Sequence, residues 1–190
     1  MAQSRKDQLD DIFGSVCART RCGDTRRQTL EEIIQLAVEI AREGREGRKI
    51  GTLFVVGDVE AVLERSRPLL LDPLYGHPSE LLQVERPDLR ETVKELAQLD
   101  GAFVVSGDGV VLSACRYLDT SSRDIKLPLG LGSRHMAAAS ITKQTDAMAV
   151  VVSESSVVRV FDDGKIVAEI IPEFWIMSQY ESVRERYAAD

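Results

Sequence analysis

The stretch Asp100-Gly-Ala-Phe-Val-Val-Ser-Gly-Asp-Gly-Val-Val-Leu-Ser-Ala-Cys-Arg-Tyr117 contains two apolar runs with a turn between them. The runs 100–105 and 110–117 are rich in β-branched residues, and Ser106-Gly-Asp-Gly109 is a strong turn signal. They are therefore predicted to form an antiparallel hairpin. A chain that combines such a hairpin with helices cannot have a wholly parallel sheet.

Apolar periodicity along the rest of the chain predicts helices around this sheet. Thr29-Leu-Glu-Glu32 fits a capping box at the start of a helix, and Ser133 is a plausible N-cap for another helix that carries Ala137 to Ile141. The remaining predicted elements are a buried strand within Gly51–Gly57, a helix over Asp88–Leu99, and strands over Ala147–Ser153, Val157–Phe161 and Lys165–Ile171. The predicted fold is an α/β domain with a central mixed β-sheet flanked by helices.

The chain divides by composition into one domain with two short extensions. Residues 1–27 are polar, and their apolar positions are too sparse to define a helix face, so they are predicted to be an N-terminal extension. Residues 28–172 form the predicted folded domain, and 173–190 a C-terminal helical extension. The irregular segment from Arg67 to Pro87, which includes four prolines, is predicted to be a long connection.

Composition excludes several classes of function. The 190 residues carry a net charge of −7, with 31 acidic and 24 basic side chains, so the chain should repel a nucleic-acid backbone. No apolar run approaches the roughly 20 residues that span a bilayer, and the polar start is unlike a secretory signal. We expect a cytoplasmic protein that binds neither nucleic acid nor membrane. Cys17, Cys22 and Cys115 lack metal-ligand spacing and are expected to be reduced thiols.

Gly130-Leu-Gly-Ser-Arg-His-Met136 has the composition of a phosphate-binding loop. Its glycines allow close approach of a ligand, and Ser133 lies where a helix N-terminus concentrates partial positive charge. Arg134 adds a permanent cation, and His135 can donate hydrogen bonds or bind a metal. The alternative is a glycine turn followed by two ordinary polar residues, and the segment alone does not decide between them.

Two carboxylates lie beside predicted strands. Asp100 precedes two small residues at the start of a strand, where it could bind a divalent cation or orient a hydroxyl nucleophile. Glu154 follows the apolar run 150–152 and could be a second acidic group near the metal. Each also has an ordinary interpretation, as a turn residue or a solvated strand end. Asp146 is expected to be structural.

Four short motifs occur in a characteristic order: Asp100-Gly-Ala102, Gly132-Ser-Arg-His135, Thr145-Asp-Ala147 and Val151-Val-Ser-Glu154. Together they resemble the diadenylate cyclase domain family, closest to its archaeal-type branch, over roughly residues 30 to 171. The resemblance implies that two ATP molecules are condensed into cyclic di-AMP and two pyrophosphates. In that reaction each ribose 3′-hydroxyl attacks the other ATP's α-phosphate across a face-to-face homodimer.

The resemblance also implies roles for individual residues. The implied catalytic residues are Asp100, Arg134 and His135. ATP would be bound by Gly101, Ala102, Leu118, Gly132, Ser133 and Arg134. A Mn²⁺ or Mg²⁺ ion would be held by Asp100, His135 and Glu154.

One position departs from the family pattern. Met136 stands where a second arginine usually follows the histidine, which removes a cation that could bind triphosphate. Arg116 or Lys143 could take over that role. A catalytically weak or silent nucleotide-binding or dimerisation module, and a nucleotidyltransferase with another acceptor, therefore remain open as alternatives.

Overall fold

The structure is a computed structural model that describes residues 24–119 and 125–175. Cys17 and Cys22 lie outside the described residues, as does nearly all of the helix expected from Trp175 to Tyr187. Residues 172–175 form a single helical turn. The predicted domain limits stay a prediction.

The described residues form four helices, a 3₁₀ turn and seven strands. The helices are α1 (Asp24–Glu43), α2 (Val59–Glu64), α3 (Pro87–Leu96) and α4 (Ser133–Gln144), with a 3₁₀ turn at Ser79–Leu81. The strands are β1 (Thr52–Val56), β2 (Ser66–Pro68), β3 (Ala102–Val105), β4 (Val111–Leu118), β5 (Met148–Val152), β6 (Val158–Asp162) and β7 (Lys165–Ile170).

All seven of these strands join one sheet in the order β2-β4-β3-β1-β5-β6-β7. β1 and β3 are parallel, and the other neighbours are antiparallel. The predicted β3–β4 hairpin is present, with Ala102 opposite Arg116. The mixed sheet with flanking helices is confirmed.

Each face of the sheet packs on a different helix because successive strand residues point to opposite sides. Phe54 and Val56 of β1 belong to the core cluster that contains α1. Leu53 and Val55 belong to the cluster that contains Ala138, Ala139 and Ile141 of α4. β1 is therefore buried on both faces, which explains its uninterrupted apolar sequence. A fully buried side chain of this size contributes roughly 1.5–3 kcal/mol.

The predicted capping box at Thr29 is wrong. α1 begins at Asp24, so Thr29 lies inside the helix. Its hydroxyl donates to the carbonyl of Gly107 at 2.9 Å, which ties α1 to the β3–β4 turn. The Thr29 hydroxyl does form a hydrogen bond, but it bonds to a residue distant in sequence rather than capping the helix.

The predicted start of α4 is displaced by one residue. Gly132, with extended backbone, is the N-cap, and Ser133 is the first helical residue. β3 begins at Ala102 rather than Asp100, and α3 ends at Leu96 rather than Leu99. The residues between them therefore form a loop that presents Asp100 to solvent.

Candidate active site

A cleft of about 610 Å³ opens between the start of β3, the end of β4 and the first turn of α4. Six of the predicted site residues line it, namely Asp100, Gly101, Ala102, Leu118, Ser133 and Arg134. The other lining residues are Leu53, Leu69, Arg116, Tyr117, Met136 and Ala137. The structure thus brings together two motifs that are distant in sequence.

Gly101 sets the position of Asp100 because the backbone there has φ = +106°. A Cβ atom at this position would lie 2.5 Å from the carbonyl carbon of Cys115 and 2.7 Å from the nitrogen of Arg116. Only glycine allows β3 to start this close to β4. The Asp100 side chain remains 89% exposed at the mouth of the strand.

Arg134 lies in the first turn of α4 and faces both candidate carboxylates. Its Nη2 is 3.5 Å from Oδ1 of Asp100, and its Nη1 is 3.4 Å from Oε1 of Glu154. Charge-assisted hydrogen bonds are usually about 2.7–2.9 Å long, so both contacts are loose. Gly51 makes room for the guanidinium, since a Cβ there would lie 2.8 Å from Nη1.

The cleft has an apolar side and a polar side. Leu53, Ala102, Leu118 and Met136 contribute apolar surface, and Asp100, Arg116, Ser133 and Arg134 contribute charge and hydroxyl groups. The N-terminus of α4 adds partial positive charge beside Arg134. This arrangement suits a small ligand that combines a flat apolar ring with anionic groups.

His135 does not line the cleft. Its ring is buried, with 6% exposed, and it packs against Phe161 with the ring centroids 6.1 Å apart. Its Nε2 lies 3.3 Å from Nη1 of Arg159. Burial lowers the pKa of His135, and the cations Arg159 and Arg134 lower this pKa further. The imidazole is therefore neutral at neutral pH.

The carboxylates fit a divalent cation that is shared with a ligand. The described part of the chain holds no group of three or more His, Cys, Asp or Glu side chains arranged around one ion position. Asp100 and Glu154 nevertheless share one guanidinium, so two hard oxygen ligands already face a common positive charge. Mg²⁺ commonly takes one or two carboxylates plus substrate phosphates. His135 is not brought together with them.

The two cations considered as replacements for the missing arginine are placed differently. Arg116 lines the cleft, but its guanidinium donates to the hydroxyl and the carbonyl of Ser66 at 2.8 and 2.9 Å. Lys143 pairs with Asp163 at 3.0 Å, roughly 13 Å further along α4. Arg116 is near the ligand space but held by the protein, and Lys143 lies away from it.

Sequence reasoning missed Leu69 as a lining residue. It follows β2, and its amide donates to the carbonyl of Cys115 at 2.9 Å, which draws it beside the cleft. β2 has three residues and includes Pro68, so neither alternation nor composition signals a strand. Cys115 itself is a free thiol, and burial together with Asp72 and Asp100 raises its pKa.

A sequence model of the family described as DisA bacterial checkpoint controller nucleotide-binding matches residues 39–166. The chain belongs to this family. The match covers both motifs that meet in the cleft, including Asp100 and Arg134. It therefore makes the cleft the candidate nucleotide site of a family member rather than an isolated surface feature.

Two archaeal proteins are similar over most of the chain. A diadenylate cyclase of Methanocaldococcus jannaschii is 49% identical over 150 residues, which are 78% of this chain and 47% of the relative. A diadenylate cyclase of Haloferax volcanii is 41% identical over 145 residues, which are 76% of this chain and 53% of the relative. The chain thus spans about half the length of these relatives.

Two solved structures of bacterial proteins have a similar fold. DacA from Staphylococcus aureus, solved as a double mutant, has a TM-score of 0.50 and 25% identity over 83% of this chain and 95% of its own. A hypothetical membrane spanning protein from Bacillus cereus has a TM-score of 0.56 and 21% identity, covering 73% of this chain and 61% of its own. Within 24–119 and 125–175, none of the helices is long and apolar enough to span a bilayer.

Proposed function

We propose that this chain is a diadenylate cyclase domain, which joins two ATP molecules into cyclic di-AMP and releases two pyrophosphates. The observation that carries the proposal is the meeting of Asp100 and Arg134 at 3.5 Å, although 34 residues separate them in sequence. Identities of 49% and 41% to two proteins named diadenylate cyclase support it. Because ATP is available in the cytoplasm, the chain is expected to act there.

The reaction makes two bonds and breaks two. The 3′-oxygen of each ribose attacks the α-phosphorus of the other ATP, and a new phosphorus–oxygen bond forms at each centre. The bond from each α-phosphorus to the oxygen that bridges it to the β-phosphate breaks, pyrophosphate leaves with that oxygen, and the proton of each attacking hydroxyl passes to the Asp100 carboxylate and on to solvent. Enzymes accelerate this class of transfer mainly by positioning and by stabilising charge.

The polar side of the cleft supplies those two effects. The exposed carboxylate of Asp100 orients the attacking hydroxyl and accepts a hydrogen bond from it. Arg134, with the backbone at Gly132 and Ser133, holds the triphosphate and stabilises the departing pyrophosphate. Since the contacts of Arg134 with Asp100 and Glu154 are loose, phosphoryl oxygens can replace these carboxylates at little cost.

The remaining predicted residues complete the site. Leu118 and Ala102, together with Gly101, form the part of the apolar side that receives the adenine base. Asp100 and Glu154 would hold Mn²⁺ or Mg²⁺ together with the phosphates, whereas His135, which the resemblance also implies as a ligand, is buried against Arg159 instead. Such an ion, when bound, lowers the pKa of the attacking hydroxyl and offsets phosphate charge.

Ring closure requires a second ATP, which the proposal assigns to a second copy of the chain. The sequence contains no internal repeat that could supply another ATP site. A two-fold axis would place two clefts face to face, so that each supplies one nucleotide. Turnover per subunit should therefore rise with protein concentration until dimers or larger assemblies saturate.

Mass spectrometry of the products decides between this function and its alternatives. The purified chain is incubated with ATP and Mn²⁺, and cyclic di-AMP with pyrophosphate is the expected result. Bound ATP without any product would identify a silent nucleotide-binding module. A different adenylated product would identify another nucleotidyltransferase.

A mixture of ATP with 3′-deoxy-ATP tests the two-copy site. The analogue accepts attack at its α-phosphorus but has no 3′-hydroxyl with which to attack in return. We expect a linear mixed dinucleotide to accumulate beside pyrophosphate. Absence of this species, or activity per subunit that stays flat far below the dimer dissociation constant, would contradict the face-to-face arrangement.

A further inference from the structure

Arg159 on β6 has no role in the proposed reaction, yet its side chain contacts His135, one of the predicted site residues. Its Nη1 lies 3.3 Å from Nε2 of His135, and its Nε donates to Oε1 of Glu169 at 2.6 Å. Arg159 and Glu169 lie directly opposite each other on β6 and β7. The Arg159 side chain is 14% exposed, so the sheet holds this guanidinium in place under α4.

The chemistry of the guanidinium decides which ring nitrogen of His135 carries the proton. An arginine side chain has five N–H donors and no acceptor, and it stays charged at all relevant pH values. A hydrogen bond with Nε2 therefore requires that Nε2 offer its lone pair. The ring hydrogen must then be on Nδ1, because a neutral imidazole carries one hydrogen.

We propose that Arg159 is a positioning residue that holds His135 as the neutral ring protonated on Nδ1. The same contact occupies the Nε2 lone pair, which a divalent cation would need for coordination. His135 then acts as a hydrogen-bond donor, and the carboxylates of Asp100 and Glu154 are left as the protein ligands of the metal. The consequence for turnover rests on the proposed function, whereas the protonation pattern does not.

The state of Nδ1 supports this role. The atom is buried and has no hydrogen-bond partner within the described residues. A buried donor without a partner is destabilising, so an arriving acceptor oxygen would be favoured. His135 follows Arg134 in the first turn of α4, where anionic oxygen is the favoured ligand. A phosphoryl oxygen of the nucleotide is the kind of acceptor that Nδ1 lacks.

Nitrogen NMR of the two histidines tests the protonation pattern directly. The chain contains 2 histidines, and His77 is exposed, so it serves as an internal reference for an unconstrained ring. In the chain labelled with ¹⁵N-histidine at mildly alkaline pH, we expect His135 to show a protonated Nδ1 and an unprotonated Nε2. A protonated Nε2 in the wild-type chain would overturn the proposal.

Variants of Arg159 show whether this residue causes the pattern. Arg159→Met removes the donor and should move the His135 proton toward Nε2 or a mixture, whereas Arg159→Lys keeps a donor and should retain the wild-type pattern. An unchanged His135 spectrum in a folded Arg159→Met chain would overturn the assignment. Addition of Mg²⁺ and 3′-deoxy-ATP should leave Nε2 bonded to Arg159, and a switch of Nε2 to the metal would also overturn it.

Kinetics of the same variants separate positioning from mere folding. Arg159→Met should lower kcat/KM roughly 10-fold, because misplacement of a functional side chain can cost up to about 100-fold in rate. Arg159→Lys should recover part of this loss. Absence of cyclic dinucleotide from the wild-type chain would refute the proposed function alone, whereas an active wild-type chain with a protonated Nε2 would refute the positioning role alone.

Discussion

Arg134 in the cleft and Lys94 between α1 and α3 each face several carboxylates, but they hold them in different ways. Arg134 lies 3.5 Å from Asp100 and 3.4 Å from Glu154, whose side chains are 89% and 73% exposed. Neither contact has the length of a strong ion pair. The cation in the cleft is therefore poorly satisfied by the protein and ready to accept another anion.

Lys94 has the opposite character. Its Nζ lies 2.8 Å from Glu91, 3.0 Å from Glu39 and 3.2 Å from Glu43, and its side chain is 7% exposed. Burial lowers the pKa of Lys94, but hydrogen bonds and charge from these glutamates raise it by more, so the net shift is upward. This group of charges joins two helices and is complete without a ligand.

The difference indicates how to separate functional from structural charges in this molecule. A cation that makes short, buried contacts with several partners contributes to stability, and its removal should lower the free energy of unfolding. A cation with long, exposed contacts contributes little to stability and remains available for a ligand. Variants in the two groups should therefore affect activity and stability in opposite proportions.

The largest effect is expected for Asp100→Asn, which keeps the size of the side chain and removes its charge. Turnover should fall at least about 100-fold, because the proposed function assigns this carboxylate to the attacking hydroxyl and the metal. The free energy of unfolding should change by less than about 0.5 kcal/mol, since the side chain is exposed. Steady-state kinetics and chemical denaturation measure the two quantities.

Asp108→Asn is the matched control for this change. Asp108 is an exposed aspartate in the turn at the other end of β3, where it accepts a hydrogen bond from Ser106. It should keep wild-type turnover. If Asp100→Asn also kept near wild-type turnover at saturating metal, Asp100 would have no part in the mechanism, and the contrast between the two charge groups would lose its functional meaning.

A smaller effect, and on stability instead of activity, is expected for Lys94→Met. The substitution leaves Glu39, Glu43 and Glu91 without their shared cation, and the free energy of unfolding should fall by about 1–3 kcal/mol. The glutamates are partly exposed and can be hydrated, which keeps the loss below that of a fully buried pair. Turnover per folded molecule should be unchanged, and Lys94→Arg should restore most of the stability.

The acid side of the stability profile gives a second measurement on this cluster. Burial raises the pKa of Glu39, but hydrogen bonds and charge from Lys94 and Arg90 outweigh it and lower the pKa below its ordinary value. The stability from ionised Glu39 is therefore present above its unfolded pKa and is lost as pH falls through the lower folded pKa. In Lys94→Met this acid-dependent loss should shrink, and an unchanged pH profile would contradict the assignment.

The fold was largely predictable because its strands are apolar, β-branched runs between turn residues. The hairpin of β3 and β4 follows from Ser106-Gly-Asp-Gly109 and its flanking residues. β2 was not predictable, since Ser66-Arg-Pro68 has no strand pattern and is ordered by pairing with β4. Thr29 was misread because a hydroxyl that can cap a helix can equally bond to a distant carbonyl.

The candidate site was predictable only in part. Asp100 and Arg134 could be assigned to one site through the order of the motifs, and the structure places them in one cleft. The role of Arg159 could not be read from Val158-Arg-Val-Phe161, where a polar residue in an alternating strand normally faces solvent. Its contacts depend on the pairing of β6 with β7 and on the packing of α4, which no local pattern encodes.

The smallest effect is expected for Met136→Arg, which adds a second cation to the cleft beside the loosely paired Arg134. Met136 lines the cleft close in sequence to Arg134, so an arginine there could reach the same ligand space. Arg134 is divided between two carboxylates, whereas the new guanidinium would be free to bind triphosphate. One added charge-assisted hydrogen bond is worth about 1.5–3 kcal/mol at best, and partial exposure reduces it, so the KM for ATP should fall roughly 3- to 10-fold.

Met136→Gln, of similar length and without charge, should leave KM near the wild-type value. A KM that is unchanged or raised in Met136→Arg would show that Arg134 and the α4 amides already satisfy the phosphates, and that Met136 serves the apolar side of the cleft instead.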